Sequence, residues 1–305
     1  MRVFLVFAML LAQAAPSPQT DLDRFMAQAL QRRDVDRRAL GDYVLDEVES
    51  FDVLGPGRVP VVRMRRNYTW FVQDGIHVRS PLEANGVPVP ESDRRAYEQH
   101  WITSELARRD YRTKRDERRA ARGLGPALSA PSVNEPRFVS ESYFMDFTFE
   151  PGNYYLAGRE TLDGQPVLKV DYLPAKLFEE RKDTKDAKDT KERSDKEKQL
   201  EAEIQYKMDK TSQITLWVDP ATHQIVKYTF ENVWMDFLPV GWLLKMDDLT
   251  AQMQMGQPVP GVWLPDNISI HAGATMALGS VEIQYRRVFS NYRKADVTSK
   301  IRVPK

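Results

Sequence analysis

The chain has 305 residues, enough for a sizeable core, and its 44 basic side chains are balanced by 44 acidic ones. That neutrality argues against nonspecific nucleic-acid binding, which rests on neutralising many phosphates. Cysteine is absent, so disulfides, thiolate metal sites and acylation of a cysteine are excluded.

The N-terminus reads as an export signal. Arg2 precedes an apolar run, Val3–Leu11, and Ala12-Gln13-Ala14 supplies small residues for cleavage after Ala14. The run is too short to cross about 30 Å of hydrocarbon as a helix. The chain is therefore expected to be exported through a cleaved signal peptide over residues 1–14.

Thr20–Arg33 is the first expected helix, capped by Thr20. Leu22, Phe25, Met26, Ala29 and Leu30 form its apolar face, suited to packing on a sheet or to covering an opening. Tyr43–Val53 and Val59–Phe71 are strand candidates around the turn Leu54-Gly55-Pro56-Gly57. In the second, Val62, Met64, Tyr68 and Trp70 alternate with Val61, Arg63, Arg65, Asn67 and Thr69. The Arg63–Arg66 patch is either a solvated strand face or an anion site. Asp74-Gly75 turns the chain into Ile76–Arg79.

Pro90-Glu91-Ser92 opens a long charged helix running to about Arg122, with Tyr97, Trp101, Ile102 and Leu106 as its apolar anchors. Its basic second half projects into solvent or makes peripheral contact with anionic lipid. Gly123–Pro136 reads as a linker. It divides an N-terminal region, 15–135, from a β region, 136–305, and both are expected to contribute to one sheet.

Ser142–Phe149 is expected as a strand, with Tyr143, Met145, Phe147 and Phe149 on one face. Asn153–Glu160 and Val167–Pro174 flank the turn Leu162–Pro166. Residues 176–203 alternate opposite charges and form a solvated insertion. Gln213–Trp234 is a long hairpin about Asp219-Pro220, where Asp219 is expected to bond back to the turn backbone. Phe237–Leu244 is apolar but broken by Pro239 and Gly241. Lys245–Gln257, Asn267–Ala272 and Ser280–Tyr292 complete roughly ten strands, whose short connections favour antiparallel pairing.

Catalytic motifs are missing. His77, His100, His223 and His271 have no metal-ligand spacing, and His223 sits in an expected exposed turn. No nucleophile elbow or phosphate-cradling glycine loop occurs. Glu141, Asp146 and Glu160 lie near strands without a pattern that pairs them for acid–base work. The chain is expected to be non-enzymatic, without metal or cofactor.

The order of Gly158–Pro174, Trp217–Tyr228, Gly261–Pro265 and Tyr285–Arg293 resembles the periplasmic lipoprotein-localisation-factor superfamily, the outer-membrane lipoprotein-sorting proteins. The resemblance implies a mainly β fold: a curved antiparallel sheet or incomplete β-barrel with covering helices, here with two charged helical insertions. It also implies a cavity for a lipid or lipoprotein acyl chain. An envelope interaction or stress-sensing protein of the same fold, with an envelope protein partner, is the alternative. Aromatic and methionine side chains adapt to a flexible chain, and each buried CH₂ contributes about 0.8 kcal/mol. The candidate ligand-binding residues are Tyr143, Phe147, Phe149, Tyr155, Trp217, Tyr228, Phe230 and Trp234. Residue by residue, packing into the core between sheet and helices is the alternative.

Overall fold

The computed structural model describes residues 20–121, 144–145, 147–174, 213–231, 245–276 and 279–295. The expected signal peptide, the linker, the insertion at 176–203, Phe237–Leu244, Tyr143 and Trp234 lie outside the described residues.

The elements in order are α1 (Asp21–Leu40), β1 (Tyr43–Leu54), β2 (Pro60–Gln73), β3 (Ile76–Ala84), β4 (Val87–Pro88), α2 (Glu91–Ala121) and β5 (Tyr154–Leu162). Then follow β6 (Gln165–Tyr172), β7 (Gln213–Val218), β8 (Ile225–Glu231), β9 (Lys245–Val259), β10 (Val262–Met276) and β11 (Gly279–Lys294). The eleven strands form one antiparallel sheet, ordered β4-β3-β2-β1-β11-β10-β9-β8-β7-β6-β5. The sheet is curved and is not closed into a barrel: β4 and β5 are its two edges.

Local chemistry accounts for most of the hairpins. Asp74-Gly75 and Asp163-Gly164 both carry positive φ at their two central positions, the type I′ geometry that matches strand twist. At the β7–β8 turn, Asp219 Oδ1 accepts from the backbone N–H groups of Ala221 and Thr222 at 2.7 and 3.0 Å, as expected from its sequence. Pro265 lies inside β10, where it removes a ladder donor. The strand accommodates it with a register shift between Pro265 and Asn267.

Register places one continuous set of side chains on the helix-covered face. Across neighbouring strands, Met64, Phe51, Tyr285, Ile270, Ala251, Phe230, Ile214 and Tyr172 face each other in turn. α1 crosses β10, β8 and β5 on this face, and α2 packs against β3 through Trp101, whose ring meets Trp70 edge-on at 5.5 Å.

Two expectations are corrected. Ser142–Phe149 is not a strand in its described part: Phe144 and Met145 are helical, and Phe147–Glu150 has no regular structure. Alternation failed there because Phe144 and Met145 are both buried in the core, Phe144 against Tyr228 and Phe230, rather than on the two faces of a strand. The first helix runs to Leu40, beyond Arg33. The apolar spacing fades after Leu30, but polar anchors hold the added turns, as described below.

Candidate functional site

The helix-covered face has three zones. The first lies under α1 and is filled. Phe144, Phe147, Phe149, Tyr172, Tyr228 and Phe230 are all buried, with ring centroids 4.8 to 6.2 Å apart. Met253 and Met255 close the same layer. α1 buries Met26 and Ala29 against it and is held in place by polar contacts as well. Thr20 and Asp23 form a reciprocal capping box, and Asp23 Oδ1 also accepts from the N–H of Gly152 at 2.7 Å. Arg33 donates to the carbonyl of Phe147 at 2.7 Å. Gln224, in the β7–β8 turn, donates to Asp36 at 2.8 Å and accepts from Arg32 at 3.2 Å. Burial raises the Asp36 carboxyl to about 6, against the opposing Gln224 hydrogen bond and the Arg32 charge. His223, expected to be an exposed turn residue, packs its ring 4.8 Å from Phe25 of α1.

The second zone is a charged network on β1, β2, β3 and β11. Glu47 is fully buried and accepts from Trp70 Nε1 at 2.9 Å, from Arg287 Nε at 2.8 Å, and from both Nε and Nη2 of Arg79. Burial pushes the Glu47 carboxyl up, but Arg287 and Arg79 outweigh that and hold it below the usual range. Glu49 accepts from the hydroxyls of Tyr285 at 2.9 Å and Tyr68 at 3.3 Å. The Arg79 guanidinium sits 3.5 Å over the Tyr68 ring. Arg66 completes the group, with Nη1 3.8 Å from Glu49 and a side chain still 45% exposed.

The third zone is half-open among the described residues. Phe51, Val53, Met64, Ile270 and Ile283 are apolar side chains on this face with intermediate exposure. Val62, opposite Val53, keeps 45% of its exposure. Their strand neighbours on the opposite face are polar: Asp52 pairs with Arg63 at 3.1 Å, and His271 lies 3.5 Å from Glu282. The alternation is the same as in a core strand, yet the apolar side is left partly uncovered by α1 and α2.

The residues expected from sequence distribute unevenly. Phe147, Phe149, Tyr228 and Phe230 come together in the filled zone. Tyr155 is 54% exposed on the other face of edge strand β5. Trp217 also lies on that other face, where Nε1 donates to Glu160 at 2.9 Å and Lys227 Nζ stands 4.5 Å from the ring. Sequence reasoning missed the half-open residues, although the alternation around Met64 and Ile283 was visible. It also missed Glu47, Glu49, Arg79 and Arg287, whose partners are up to 240 positions apart. Among the described residues no group of His, Asp or Glu has metal-holding geometry, and no helix is long and apolar enough to cross a membrane.

No family model matches the chain, and no curated protein matches it. Among solved structures it is similar to one described as an outer membrane lipoprotein-sorting protein domain from Vibrio parahaemolyticus. Identity is 12% and the TM-score 0.37, over 92% of this chain and 96% of that one. It is also similar to MucB in complex with MucA(peri), at 8% identity and TM-score 0.20, over 88% of this chain and 99% of that one. Overlaps this loose carry no argument about function.

Proposed function

We propose that this is a periplasmic, non-enzymatic protein that binds the acyl chain of a lipid or lipoprotein on the helix-covered face of its sheet. The observation that carries the reading is the half-open apolar zone. Phe51, Met64 and Ile283 continue the core face beyond the helices, and their partial exposure leaves apolar area for a chain to cover. Each methylene covered there contributes about 0.8 kcal/mol, so affinity rises with the length of chain that the zone covers. The proposed site lies beside the aromatic cluster expected from sequence, whose buried rings pack against one another under α1. The sequence resemblance to lipoprotein-sorting proteins supports the same reading.

Titration with pyrene-labelled dodecanoic acid below its micelle concentration tests it. Saturable binding is expected, weakened about three- to tenfold by Met64→Gln or Ile283→Asn, which put a polar group where the chain would lie. Phe230→Leu, in the filled zone, is expected to leave affinity unchanged. A folded wild-type protein that binds no probe contradicts the proposal.

A further inference from the structure

Resting on that reading, we infer that the bound amphiphile is anionic and that Arg66 holds its charged group, a carboxylate or a phosphate. The sequence shows four residues, Arg63–Arg66, as one basic patch, but the strand divides them. Arg63 and Arg65 point to the polar face, where Arg63 is paired with Asp52 at 3.1 Å. Arg66 stands opposite Glu49, on the same face as Met64 and Phe51.

The network behind Arg66 is already saturated on its acidic side. Glu47 takes Arg79 and Arg287. Glu49 takes two tyrosine hydroxyls and has Arg79 at 3.4 Å. Three guanidiniums thus meet two carboxylates, and the excess positive charge falls at the rim, on Arg66. Its contact with Glu49 is long at 3.8 Å, it also donates to the Tyr68 hydroxyl, and 45% of its side chain stays exposed. Arg79 and Arg287 are held beneath, so Arg66 is the member with room to turn toward a ligand. A planar guanidinium suits either anionic group through paired N–H donors. Met64 lies two residues along the same strand face, and Phe51 stands opposite Met64. An amphiphile with its charge at Arg66 therefore lays its first methylenes on Met64 and Phe51.

The test compares pyrene-labelled dodecanoic acid with its methyl ester at pH 8, where the acid is ionised, on the full-length wild type, Arg66→Gln and Arg66→Lys. Wild type is expected to bind the acid about fivefold tighter than the ester, the factor for one partly exposed charge contact. That preference is expected to shrink with added salt. Arg66→Gln should equalise the two probes, and Arg66→Lys should keep part of the preference. Inorganic phosphate, against chloride at equal ionic strength, should not displace the acid, because the chain supplies most of the affinity. Equal binding of acid and ester by wild type overturns this inference and leaves acyl-chain binding standing. Displacement by inorganic phosphate overturns it in favour of a free-anion site. Binding of neither probe overturns both readings.

Discussion

Glu47 and Asp36 are two buried carboxyls with opposite electrostatics. Glu47 is stabilised as an anion by two arginines and an indole N–H. Glu47→Gln removes the buried charge that Arg79 and Arg287 share, leaving Arg79 its longer 3.4 Å contact with Glu49, and a loss of about 3–5 kcal/mol is expected in urea unfolding. The Glu47 carboxyl is depressed, so its contribution is full above the ordinary glutamate value and is lost as pH falls through the lowered folded value. Asp36 runs the other way. Its folded value of about 6 stands above the ordinary 3.8, so the native state holds this proton more tightly than the unfolded chain does. Stability from this site therefore falls as pH rises between those two values and is flat outside them. Asp36→Asn keeps an acceptor for Gln224 and removes the ionisation. It is expected to abolish that pH slope and to be at least as stable as wild type at pH 7, read from unfolding curves at several pH values. None of this was legible in sequence. The sequence does not single out Glu47, because its partners come from β2, β3 and β11.

The elements whose signals are local were the ones sequence could specify. Asp-Gly pairs marked the β2–β3 and β5–β6 turns, and Thr20 marked the start of α1. Ser142–Phe149 was misread because alternating aromatics identify burial and not the backbone that achieves it. α1 ran on past Arg33 because Asp36 meets Gln224, a tertiary contact 188 positions away. The N-terminal end of α1 depends on Asp23, which joins the cap to Gly152. Asp23→Ala is expected to cost about 1–2 kcal/mol and to speed amide exchange in the first turns of α1, leaving the strands protected. Equal exchange across the whole protein would show that the cap and the sheet unfold together.

At the scale of the molecule, antiparallel pairing of neighbouring strands was readable from short turns, but the β1–β11 junction was not. It joins Tyr43–Leu54 to Gly279–Lys294, and it makes the N-terminal strands and the β region one sheet. That junction also creates the candidate site, since Phe51 meets Tyr285 and Glu49 meets Arg287 only across it. The zone lies beyond the parts of the sheet that α1 and α2 cover, and it is the proposed acyl-chain site. The most direct test is mass spectrometry of lipids extracted from wild type and Ile283→Asn, each purified without detergent from the envelope of its own host. An acyl-bearing molecule is expected at near-stoichiometric level in wild type, with a clear loss of it in the variant. A folded wild-type protein that carries no acyl chain, or a variant that carries as much as wild type, would contradict the proposed site.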